Sequence, residues 1–166
     1  MWMRLVSVWC NTKGKRQIGA IASQERGHLV TVVTRMNVTG VFVPPMLIFL
    51  RKEMKFELKK GTPTGTIFDW YKSGWIQSNL FVEWLQHFIS HTLPTRESPV
   101  LLLLDGHYTH TRNLFLIELA RYNFVHIVSL PSHSIHRMQP LDIGFMSSFK
   151  TFYGQEIKTW LRSNPG

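Results

Sequence analysis

The chain has 166 residues, 44% hydrophobic and 17% charged, which is enough apolar material for one folded domain and excludes a disordered chain. Nineteen Lys and Arg against ten Asp and Glu give a formal charge of +9 and a pI near 10.1. That surplus favours a polyanionic partner, nucleic acid before membrane, beside the plainer alternative of an ordinary basic protein. One cysteine, Cys10, rules out a disulfide framework and fits a reducing compartment. No run is long enough to span a membrane: Val41 to Leu50 is interrupted by Pro44-Pro45, and Met1 to Cys10 lacks the apolar core of a secretory signal.

In chain order, Leu5, Val6, Val8 and Trp9 can make a short first strand, and Lys13, Lys15 and Arg16 form a basic turn, either a phosphate contact or a solvated loop. Leu29 to Met36, rich in β-branched residues, predicts a strand, Asn37 to Gly40 a turn, and Val41 to Leu50 the second arm of a hairpin. Pro44-Pro45 cannot donate ladder hydrogen bonds, so that arm should be an edge there or carry a bulge. Arg51, Lys52 and Lys55 belong to the densest positive stretch, again a DNA-backbone contact or a charged loop. Residues 61 to 74 read as loop. Ser78 is a candidate N-cap for a helix whose Leu80, Phe81, Trp84, Leu85, Phe88 and Ile89 form one apolar stripe, read as core and not as a base-stacking platform. Val100 to Leu104 predicts a strand buried on both faces, Thr111 to Asn123 a helix, Phe124 to Leu130 another strand, and the residues after Asp142 a last helix bearing Phe149, Tyr153, Ile157 and Trp160. The order predicts an α/β domain of ribonuclease-H-like layout: a three-strand antiparallel meander, then alternating helices and strands. The last two strands, joined through a helix, should be parallel.

Asp105 falls at the tip of the Val100 to Leu104 strand, where open α/β sheets bind ligands, although Asp105-Gly106 also reads as a simple turn. Asp142 lies 142 − 105 = 37 positions later, room for one helix and one returning strand, and its plainer alternative is a helix cap. Two carboxylates at one end of a sheet suit Mg²⁺, which takes one or two protein carboxylates and keeps several waters, and a pair of such ions can hold a phosphodiester for in-line displacement. A zinc site from the pairs His107/His110 and His133/His136 is the weaker alternative, because neither pair has cysteine or carboxylate help.

The segments GAIASQERGHLVTVVTRMNVTGVFVPPMLIF, SGWIQSNLFVEWLQHFI, PVLLLLDGHYTH and LPSHSIHRMQPLDIGFMSSFKTFY resemble the DDE superfamily endonuclease domain, more narrowly that of pogo/Tigger/jerky-type transposases and their domesticated relatives. The resemblance implies a ribonuclease-H-like fold, Mg²⁺- or Mn²⁺-dependent DNA cleavage and joining, DNA as partner, and a nuclear location. By motif, Asp105 matches the second metal-binding carboxylate and Asp142 the third. His133, His136 and Gln139 match the loop leading into the third, and His107 follows the second, all with a loop-shaping role.

The sequence also departs from that family. Met1 to Asn11 occupies the place of the first carboxylate and contains no acid, and Gly106 replaces the usual Asn after Asp105. Residues 1–12 are therefore an atypical segment with the first strand incomplete or replaced, and 13–166 the DDE endonuclease-like domain, expected to be a fragment truncated at its C-terminus. The first expectation is a DNA-binding, catalytically degenerate domain. The alternatives are a residual nuclease using Asp105 and Asp142, with a third acid from Glu25 or a second subunit, and a relic without a stable fold. Partners beyond DNA are another copy of the chain or a complete transposase; no membrane is expected.

Overall fold

The computed structural model describes residues 2–9, 30–37, 39–49, 56–70, 77–104, 113–130 and 144–164, with backbone only for 2–9, 146 and 150. The fold is mixed α/β. Six strands, β1 (Trp2–Trp9), β2 (Val30–Asn37), β3 (Phe42–Phe49), β4 (Ile67–Trp70), β5 (Val100–Leu104) and β6 (Val125–Ser129), form one sheet in the order β4-β3-β2-β1-β5-β6. Among the described residues three helices follow the order α1 (Ser78–Thr92), α2 (Leu114–Tyr122) and α3 (Met146–Ser163), with a 3-10 turn at Phe56–Lys59.

β2 forms because Val30, Thr31, Val32, Val33 and Thr34 are β-branched, and Thr31, Val33, Arg35 and Asn37 are buried at the two-residue repeat of one sheet face. It pairs antiparallel with β1 on one side and β3 on the other. The β2–β3 register runs Val33↔Met46 and then Arg35↔Val43, two steps along β2 against three along β3. The extra residue falls at Pro44-Pro45, the bulge expected where two prolines cannot donate. β4 pairs with β3 only from Met46 to Phe49, so the prolines also lack a ladder neighbour on that side.

α1 carries the stripe that closes the core. Phe81, Trp84 and Phe88 are fully buried, their rings stacked at 5.1 Å and 5.7 Å, against Val33, Met46 and Ile48 of the sheet. These aromatics are core, as the spacing predicts. Leu116 and Ala120 of α2 join the same cluster with Val100, Leu102, Leu104 and Val125, so α1 and α2 cover one face. β5 and β6 are parallel, with α2 between them in sequence.

Four expectations need correction. Residues 61–74 are not all loop: Ile67–Trp70 adds β4 at the sheet edge, a strand too short and too evenly half-buried to leave a period-two signature. The N-cap of α1 is Gln77, extended and without a side-chain cap bond, and Ser78 is already helical. α2 begins at Leu114 rather than Thr111, because Asn113 caps it by accepting from the backbone N–H of Leu116 at 3.2 Å. β5 is fully buried only on the face of Val100, Leu102 and Leu104; Leu101 and Leu103 are half-buried. The slot of the doubtful first strand is filled by the eight residues of β1, antiparallel to β2 and parallel to β5.

Candidate functional site

The sheet topology gathers three strand ends on one side. β1 is parallel to β5, and β5 to β6, so Trp9, Leu104 and Ser129 all finish at the same edge of the sheet. β5 is held there on its β6 side by the ladder and, past its end, by the Leu130 N–H donating to the Leu104 carbonyl at 2.8 Å. Leu104 itself is buried, anchored by the α2 side of the core. The last β1–β5 pair is Leu5↔Leu103, and β1 runs on through Val6, Ser7, Val8 and Trp9. None of the eight residues of β1 is a carboxylate.

The next residue after Leu104 in the sequence is Asp105, and it lies outside the described residues, as do Asp142, Glu25, His107, His133, His136 and Gln139. The basic residues Lys13, Lys15, Arg16, Arg51, Lys52 and Lys55 lie outside them too. None of these predicted site residues is therefore brought together or separated by the described structure. Among the described residues there is no cluster of three or more His, Cys, Asp or Glu able to hold a metal ion.

Two titratable groupings that the sequence reading missed stand elsewhere. Glu83 of α1 hydrogen-bonds Asp69 of β4, and its carboxyl is held above the usual carboxylate range, first by burial, then by the Asp69 charge and hydrogen bond. Three strands, β3, β2 and β1, lie between β4 and β5, so this pair does not belong to the β5 tip. Sequence spacing could not have found it, because the two residues lie on different elements 83 − 69 = 14 positions apart.

The second grouping ties α1 to the β3 bulge. His87 Nε2 lies 3.0 Å from the Pro44 carbonyl oxygen, and His91 Nδ1 lies 2.9 Å from the His87 carbonyl. Burial lowers the His87 pKa most; the Pro44 hydrogen bond raises it, and the charges of His91 and Arg35 lower it further. Arg35, buried on β2, places its guanidinium 4.5 Å from the Phe88 ring centre. This grouping fastens strand to helix.

The family model described as DDE superfamily endonuclease matches residues 28–165. The chain belongs to that family. The match begins after β1, so the central strand of this DDE endonuclease-family sheet lies before the matched stretch. The chain is also similar to a protein of Cochliobolus lunatus named MFS-type transporter clz9, with 32% identity over 139 residues, covering 81% of this chain and 15% of that protein. Among the described residues no helix is long and apolar enough to cross a membrane. A solved chain in the cryoEM structure of the simian T-cell lymphotropic virus intasome, in complex with PP2A regulatory subunit B56 gamma, shares the fold at a TM-score of 0.50 and 8% identity, covering 99% of this chain and 42% of that one. This DDE-family chain thus spans less than half the length of each of these two relatives.

Proposed function

We propose that the chain is a transposase-derived DDE domain that binds DNA and is catalytically degenerate. The observation that carries this reading is β1, the strand beside β5, which brings no carboxylate. Strands β3-β2-β1-β5-β6, with β1 antiparallel to β2 and parallel to β5, support a ribonuclease-H-like sheet with β4 as an added edge strand. The family match and the intasome likeness support the same layout, and the formal charge of +9 supports DNA as partner; a nuclear place of action is part of the same reading.

In this reading Asp105 and Asp142 are the carboxylates left to hold Mg²⁺ or Mn²⁺. An ion of that kind, when bound, supplies Lewis-acid polarisation of a phosphodiester oxygen. Two carboxylates and several waters satisfy one such ion but leave a pair of ions short of ligands, since β1 adds none. A carboxylate about 4 Å from a metal charge contributes about 4 kcal/mol per unit charge pair at an effective dielectric near 20. Its loss from the transition state costs about three decades of rate at ~1.36 kcal/mol per decade. Binding through Lys and Arg survives that loss.

The test is paired. Supercoiled plasmid incubated with Mn²⁺ and the chain should show no more nicking than with Asp105→Ala or Asp142→Ala. A DNA titration over rising salt should lose affinity steeply, with a slope of about −0.9 per phosphate neutralised. Nicking lost in both variants would replace this reading with that of a residual nuclease whose third acid comes from Glu25 or a second subunit. Affinity indifferent to salt would overturn the DNA-binding half.

A further inference from the structure

The sheet has two edges, and they are defended differently. β4 is four residues long, its Asp69 hydrogen-bonds Glu83 of α1, and Lys59 Nζ stands 5.3 Å from the Phe68 ring centre. Short length and charge are common means of keeping a sheet edge from pairing with other chains. β6, at the far side, has neither Lys, Arg, Asp, Glu nor Pro: Val125–Ser129 reads Val-His-Ile-Val-Ser. Among the described residues its one strand neighbour is β5.

Two hydrogen bonds fix which way its backbone faces. The Val100 N–H donates to the Phe124 carbonyl at 3.0 Å, and the Leu130 N–H to the Leu104 carbonyl at 2.8 Å. Even-numbered residues of this stretch therefore face β5, and the alternation of a parallel ladder turns the N–H and C=O groups of Val125 and Ile127 to the open side. The side chains of the same two residues lie on the face that α2 covers, in or against the core cluster that holds Leu116 and Ala120. Between this edge and α2 is a cavity of about 390 Å³, whose walls include Leu104, Ile117, Ala120, Val125, Ile127 and Arg121. Its lining is mostly aliphatic. Arg121 marks the Val125 end, since only Tyr122, Asn123 and Phe124 separate the two in the chain. Among the described residues no acid lines the cavity; Glu118, one turn back on α2, lines a separate one with Arg121 and Tyr122.

Outward backbone groups, a groove for alternate side chains and a cation at one end match an extended peptide. Main-chain hydrogen bonds would hold it, and the groove would read its side chains two apart. The β6 strand of a second copy has no acid to meet Arg121, so a foreign acidic strand fits better. We propose that β6 takes up an extended segment of a partner protein as a seventh strand of the sheet, with aliphatic side chains in the groove and a carboxylate on Arg121. The added strand runs antiparallel, the slightly more stable pairing. This surface uses neither the metal ligands nor the basic residues of the DNA reading.

The probe is the acetylated and amidated peptide Thr-Val-Thr-Val-Thr-Glu-Thr, which in the antiparallel direction lays its valines in the groove and its Glu beside Arg121. Titrated into the isotope-labelled whole chain, it should bind with a Kd below about 1 mM and shift the amide signals of Val125 and Ile127 most. N-methylation of its two valines should abolish binding, because those amides face β6, whereas N-methylation of the threonine between them should not. Arg121→Glu should weaken binding about fivefold, the upper end for an exposed ion pair. Absence of binding at 1 mM peptide, shifts confined to other strands, or indifference to valine N-methylation would overturn the proposal. An unchanged affinity of Arg121→Glu would overturn the choice of an acidic partner. Slow hydrogen exchange at Ile127 in the chain alone would overturn it as well: the edge would then be covered already, by a second copy if the protection grows with concentration and by the chain itself if it does not.

Discussion

At the scale of single residues, the turn between β2 and β3 rests on one side chain. The Asn37 Oδ1 accepts from the Thr39 N–H at 3.1 Å, the Thr39 hydroxyl at 2.7 Å and the Val41 N–H at 2.8 Å, while Gly40 supplies the left-handed φ of 81°. Asn37→Ala leaves those donors without their acceptor and should cost about 1–3 kcal/mol, read as a lower urea midpoint at unchanged slope. The turn was legible because Asn and Gly are the residues such a conformation demands. The grip of His87 on Pro44 was not, since it joins residues 43 positions apart. It predicts a pH effect. With the folded pKa below the ordinary 6.5, the unfolded chain takes up a proton first as pH falls. The stability is therefore full above 6.5 and is lost as pH drops toward the lowered folded value. Groups facing His87 are Arg35 from β2, His91 from its own helix and the Pro44 carbonyl from β3. His87→Gln keeps a donor for that carbonyl without titrating, and melts of this variant between pH 7 and 5 should show a flatter decline than the wild type.

At the scale of elements, legibility followed the strength of the repeat. β2, β3, β5, β6 and α1 were foreseen to within a residue or two from their β-branched or apolar runs, although the continuous run of β5 concealed an alternating burial. β4 escaped because Ile67, Phe68 and Asp69 are all half-buried and a Thr-, Pro- and Gly-rich context surrounds it. The bulge was foreseen from proline chemistry alone. The helix ends were less legible: Ser78 and Thr111 miss the caps at Gln77 and Asn113, and the C-terminal end of α1 was not read. α1 stops at Leu93, which takes a left-handed φ of 45° while its side chain is 74% exposed. A Cβ in that region costs about 1–2 kcal/mol, and glycine is the usual residue there. Leu93→Gly should gain about 0.5–1 kcal/mol after the added unfolded-state entropy, and a thermal melt a few degrees higher would show it. Asp105 and Asp142 were read from short motifs alone and lie outside the described residues. What the described structure adds there is that the eight residues of β1, beside β5, contain no acid.

At the scale of the whole molecule, β1 holds the sheet together. It is the only described strand between the β4-β3-β2 half and the β5-β6 half, and its backbone pairs with both neighbours. Removing residues 2–9 opens both ladders and separates the strands that α1 and α2 share as a base. Such a deletion should lose the single cooperative transition, and urea unfolding followed by fluorescence and by circular dichroism should no longer coincide. The family match starts at residue 28, so the strand on which this cooperativity depends lies before the matched stretch.

The pairing of Trp2 with Val100 has a consequence for how the protein is made. Its two partners are 100 − 2 = 98 residues apart, so during synthesis β1 has one neighbour early, in β2, and must wait for the other. At about 5–20 residues per second that wait lasts about 5–20 s. Through it one side of an apolar strand stays open to any passing chain, which makes a nascent-chain chaperone and slow growth temperature the natural companions of its expression.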